Sequence, residues 1–281
     1  MDRPGFINFI LQFSTVNSGM ATSYAQAIRI LDEVLQHQEE IDLNGQSLYD
    51  VSDVGVIEKM LLLVKAEVKK MRKNEPNIFD LYGNPNQRSY PLGNYCSAAL
   101  NSLKKYAEYE QEIKGADKIV EHESNPRKIS KKLITHFDIT KEGEDIESII
   151  KQRKGQDYFR RMILANYGGR CALTGIDLPQ LLLASHIIPW AEKSHKQDRL
   201  NPCNGICLSS LYDKAFDKGF ITISPDNYTV VLSSALRENE SKEYYDKHFR
   251  FIAGLRIQTP SEYAPNRDFL AFHREKVFLG E

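Results

Sequence analysis

The stretch from Cys171 to Asp217, CALTGIDLPQLLLASHIIPWAEKSHKQDRLNPCNGICLSSLYDKAFD, constrains this chain more than any other. The apolar run that ends at His186 and the one that follows Asn204 are short and bounded by loop signals, which suits buried strands. A polar loop joins them, and a segment from Tyr212 to Asp217 follows that reads as helix. The order is therefore strand, loop, strand, helix, with polar groups gathered where the strands end and the helix begins. Asp213 and Asp217 stand at i and i+4, so a helix presents both carboxylates on one face.

The order His186, Asn204, then a polar residue eight or nine positions on resembles the ββα-metal core of the HNH endonucleases. The likeness runs through ASHIIPW, RLNPCNGICL and DKAFDKGFITI, and takes in Gly155-Gln156, Phe159-Arg160 and the terminal LAFHREKVF. It resembles the branch found in predicted restriction and anti-phage endonucleases, and it spans residues 151–281.

The resemblance implies a division of labour. His186, with an ordinary pKa of ~6.5, is the general base that takes a proton from water. Asn204 braces the loop and orients the imidazole. One divalent cation, Mg²⁺ with Mn²⁺ as the alternative, assists at the phosphate as Lewis acid, and needs only one or two carboxylates. Asp213 is the first ligand and Asp217 the second. Two positions depart from the family pattern. The third letter of HNH is commonly His but here is Tyr212, which either hydrogen-bonds the phosphate or packs against the strands. Many relatives carry an acid before the catalytic His, where this chain has Ser185. Many HNH proteins are also braced by zinc on two CxxC pairs, whereas Cys171-Ala-Leu-Thr174 offers one thiol, and Cys203 and Cys207 have three residues between them. No structural zinc is expected.

Charge enters next, because a nuclease must bind a polyanion. The net charge of −1 gives no global attraction, so a binding surface must be a local patch. Between Lys151 and Arg170 six cations face one acid, Asp157. Lys154, Arg160, Arg161 and Arg170, with His195 in the polar loop, are the candidates for nucleic-acid contact, where cations supply most affinity. His248 and His273 read as ordinary surface or core residues.

At 281 residues two domains are expected, and a composition 41% hydrophobic and 27% charged excludes disorder. No run approaches the ~18 apolar residues of a membrane span. The start, MDRPGFINFILQF, lacks the pattern of a cleaved leader, and four cysteines make no disulfide framework, so a reducing cytoplasm is the expected setting. Residues 1–112 read as a helical domain for DNA recognition or assembly. Tyr24, Ala27, Ile28, Leu31, Val34 and Leu35 recur at helix spacing behind Thr22 and Ser23 as caps; Ile57, Leu61, Val64 and Val68 form a second stripe. YGNPNQRSYPLGN reads as loop, and a third helix covers Tyr95 to Glu110. SYAQAIRIL and NYCSAALNSLKKYAEY resemble the helical arm of tyrosine recombinases. Residues 113–150 read as linker and 151–281 as the nuclease domain, with GFITISPDNYTVVLSS as a hairpin. The expected fold class is α+β, a helical domain followed by a ββα-metal domain with flanking helices.

The leading expectation is a metal-dependent DNA endonuclease of restriction or phage defence. Its partners would be DNA, a companion methyltransferase or defence-complex protein, and a second copy in a C2 homodimer, which cutting both strands with one site per chain favours, with a nicking monomer as the alternative. The rivals are a DNA-binding or regulatory protein on a degenerate HNH scaffold and the nuclease subunit of a multi-protein defence complex.

Overall fold

The computed structural model describes residues 1–14, 17–41, 43, 45–139 and 146–280. Its contacts divide the chain into two units, Met1–Gly115 and Ala116–Glu281.

The first unit is helical. α1 (Arg3–Phe13) starts where the Asp2 carboxylate accepts from the Gly5 amide. α2 (Ser18–Leu35) starts at Asn17, whose side chain accepts from the Met20 amide, a turn earlier than the expected caps. Thr22 and Ser23 instead donate back to the carbonyls of Ser18 and Gly19, the use these hydroxyls find inside a helix. α3 (Val54–Arg72) opens at Asp53 and stops before Asn74, which sits at φ 55°. Ala27, Ile28, Leu31, Val34, Leu35, Ile57, Val64 and Val68 are buried as their spacing predicts; Tyr24 and Leu61 are half-buried, and Met60 takes the inward place beside Leu61. The expected loop YGNPNQRSYPLGN is wound into short turns after α4 (Ile78–Tyr82), namely a 3₁₀ turn Pro85–Gln87 and α5 (Ser89–Leu92). Pro85 stands at a first-turn position, where proline starts a helix and cannot continue one. α6 (Tyr95–Glu121) runs about three turns beyond the expected Glu110. Phe9 and Phe13 of α1 meet Tyr106 and Tyr109 of α6 with ring centroids 5.1 to 5.3 Å apart.

Residues 113–150 are not a linker along their described length. α6 ends in them and α7 (Pro126–His136) follows, capped by Asn125. α7 is polar on average but has a clear apolar side, on which Ile129 and Leu133 are fully buried. Residues 140–145 of that stretch lie outside the described residues.

The second unit centres on two strands. β1 (Leu182–His186) pairs antiparallel with β2 (Gly205–Ser209), Leu182 opposite Ser209 and His186 opposite Gly205. A two-stranded ribbon alone is marginal in water. It is covered by α8 (Ile146–Asn166) and by α9 (Ser210–Asp217), which leaves β2 without a loop. Two glycines make room at the faces of α8, Gly205 on the ribbon and Gly155 toward Ile139. A Cβ on Gly205 would stand 2.5 Å from Ile163 Cδ1 and 2.7 Å from Phe159 Cζ, and one on Gly155 would collide with Ile139. The expected hairpin is present as β3 (Ile221–Ile223) and β4 (Val230–Leu232), Ile221 opposite Leu232. α10 (Ser234–Arg237), α11 (Glu243–His248) and α12 (Arg267–Lys276) complete the unit.

Candidate active site

His186 closes β1 with its ring stacked on Phe159 of α8, centroids 3.9 Å apart and planes at 15°. Trp190 meets it edge-on at 5.6 Å. Nε2 lies 2.9 Å from the Arg199 carbonyl oxygen, which only accepts, so Nε2 carries the proton and Nδ1 keeps the free lone pair. Burial pushes the imidazole down to about 4, and the Arg199 guanidinium pushes the same way against the carbonyl bond. At neutral pH the ring is therefore neutral and able to accept a proton.

The loop that supplies the Arg199 carbonyl is held by Asn204, 1% exposed. Its Oδ1 accepts from the Ile188 amide at 2.9 Å and its Nδ2 donates to the Asp198 carbonyl at 3.0 Å. Its own carbonyl accepts from the Ile187 amide at 2.9 Å. The exit of β1 and the far side of the loop are thus tied through one amide. The Arg199 guanidinium lies over the Trp190 ring at 5.1 Å, and its Nε donates to the Trp190 carbonyl.

Asp213 and Asp217 project from successive turns of α9 into the cavity that holds His186, a space of about 400 Å³. Ser185, Trp190, Lys214, Lys218 and His273 also line it. The Ser185 hydroxyl donates to Asp213 Oδ1 at 2.6 Å, so the residue before His186 orients a carboxylate of α9. Burial, then the neighbouring Asp213 carboxylate, raises the Asp217 carboxyl. Among the described residues no group of three or more His, Cys, Asp and Glu has the geometry of a metal cage. Two carboxylates in an open cavity nevertheless fit Mg²⁺, a hard ion that keeps several waters and takes its remaining oxygens from phosphate.

Tyr212 is not brought to this cavity. It is 4% exposed, donates to the His248 carbonyl at 2.7 Å and packs edge-on to Phe249. Burial raises its phenol to about 12. Of its two expected roles, the geometry gives it packing, because α9 turns residue 212 inward when residue 213 faces the cavity. Tyr212→Phe is expected to leave the cleavage rate unchanged and to cost about 1 kcal/mol of stability, the worth of one hydrogen bond. Urea melts and single-turnover rates measure the two separately.

The five residues expected to touch nucleic acid do not line the cavity either. Arg160 is spent inside the fold, donating to the Leu182 carbonyl at 2.6 Å and the Pro179 carbonyl at 2.9 Å. Arg161 pairs with Asp157 at 2.9 Å, and Arg170 lies 3.7 Å from Asp177. His195 meets Asp198 at 3.4 Å and the Phe272 ring edge-on. Lys154 is half-buried on α8. His273, read from the sequence as an ordinary surface or core residue, is a core residue that also lines the cavity from α12. It is 1% exposed, stacked on Phe216 at 3.8 Å, and bonded at both nitrogens, to Thr222 Oγ1 and the Phe216 carbonyl. With both nitrogens engaged it builds the wall of the site and offers no lone pair. Burial pushes the thiols of Cys203 and Cys207 up to about 11.

Residues 171–224 match the family model described as HNH endonuclease. The matched segment contains β1, β2, α9 and β3, with His186, Asn204, Asp213 and Asp217. No curated protein matches the chain. The HNH match supports a nuclease hydrolase, and no helix among the described residues is long and apolar enough to cross a membrane.

Proposed function

We propose that the chain is a metal-dependent endonuclease that hydrolyses the phosphodiester bonds of DNA. The observation that carries this reading is the convergence of a neutral imidazole and two carboxylates in one cavity. Nδ1 of His186 takes a proton from water, whose oxygen attacks phosphorus as the bond to the departing 3′ oxygen breaks. Nε2 stays bonded to the Arg199 carbonyl throughout, which fixes the ring plane and spreads the charge it gains. Asn204 keeps that carbonyl in place. Asp213 and Asp217 are the residues that would hold a divalent cation, and such an ion would supply charge neutralisation for the hydrolysis. Lys214 and Lys218 add positive charge at the cavity wall. A role in restriction or phage defence follows the resemblance of the sequence and belongs to the same proposal.

The test is supercoiled plasmid incubated with the purified chain. Nicking or linearisation with Mg²⁺ or Mn²⁺, abolished by EDTA, is the expected result. DNA retention without cleavage under every metal would favour a binding protein on the same scaffold.

A further inference from the structure

In the second unit, α7 carries a run of exposed cations with no acid among them. Residues 126–136, PRKISKKLITH, hold Arg127, Lys128, Lys131 and Lys132 and no acid. Ile129, Ser130 and Leu133 point inward, while Lys128, Lys131, Lys132 and Thr135 are exposed on the other side. The exposed side, with Ile119 and His136, surrounds a shallow recess of about 550 Å³. Lys132 pairs with Glu123 at 2.9 Å, whereas Lys128 and Lys131 form no ion pair among the described residues.

Helix stability does not explain this placement. Arg127 and Lys128 stand in the first turn, at the positive end of the helix dipole, where cations are unfavourable and phosphate is welcome. The inward side of α7 also rests on the loop of the candidate base. Ser130 Oγ donates to the Gln197 carbonyl at 2.6 Å, two residues before the carbonyl that holds His186. A strand of phosphates lying on α7 therefore bears on an element packed directly against the site.

We infer that the exposed face of α7 is the surface that grips the backbone of duplex DNA, through Lys128 and Lys131. This rests on the nuclease reading for its partner, and binding tests it apart from cleavage. The full chain carrying His186→Ala is titrated with a labelled DNA duplex at several salt concentrations. Adding Lys128→Gln and Lys131→Gln is expected to lower the slope of log affinity against log salt by about 2, one unit per lost phosphate contact, equally on unrelated sequences. Lys242→Gln with Lys247→Gln, the same charge change on and beside α11, is expected to leave the slope alone. An unchanged slope in the α7 variant overturns the inference, as does an equal loss in the α11 control or a preference for duplex RNA. Cleavage is read separately in the chain that keeps His186: a lowered slope with no cleavage there under Mg²⁺ or Mn²⁺ would keep the surface and remove the nuclease, and cleavage there with an unchanged slope would do the reverse.

Discussion

His186→Ala is expected to reduce single-turnover DNA cleavage by ~10²–10⁴-fold, the usual worth of a positioned general base. The change also uncovers the face of Phe159 on which the imidazole lies. His186→Gln is the companion variant, because its amide can still donate to the Arg199 carbonyl while it cannot take a proton from water. Both should be slow, and the Gln variant should melt near the wild type. The wild-type pH profile gives a second readout. A base held down at about 4 by burial is neutral above that value, so the rate should keep its basic form down to about pH 5 and fall as pH drops through 4. The base is also weaker than an ordinary imidazole, which makes the fixed Nε2 bond the more necessary. Wild-type rates in either variant would remove His186 from the chemistry.

Asp213→Asn is the second large effect. The substitution removes one of the two negative charges on the cavity side of α9 and disturbs the Ser185 bond to Oδ1. The Mg²⁺ concentration for half-maximal rate should rise by at least the ~10–100-fold that loss of a ligand's supporting partner costs. High Mg²⁺ should partly restore the rate. Asp217→Asn should cost less, since Asp217 lacks an orienting hydroxyl of that kind. Superimposable Mg²⁺ titrations for wild type and Asp213→Asn would move the cation elsewhere.

The strand–loop–strand–helix order around His186 was legible because short apolar runs, a polar loop and two acids one turn apart each follow a local rule. The hairpin after Gly219 was legible for the same reason. What could not be read were the partners chosen by distant backbone. Arg160 looks like any surface cation until the carbonyls of Pro179 and Leu182 arrive to accept from it. Tyr212 looks like a motif letter until the His248 carbonyl takes its hydroxyl. His273 lies in an ordinary helical stretch, and only α12 packing on Phe216 brings it to the cavity. The polar residues 113–139 hid two helices because one buried apolar residue per turn suffices when the other faces meet water.

Neighbouring residues of one turn of α8 hold both ends of β1. Phe159 lies under His186 at its last residue, and Arg160 is bonded to the carbonyl of Leu182 at its first. The strand that aims the base is thus mounted at two points on a helix that ends before the HNH match begins. Excising residues 171–224 would keep the motif and leave it without its mount. For protein dissection and for grafting, the smallest self-supporting nuclease module therefore has to include α8, with α12 to close the wall at His273.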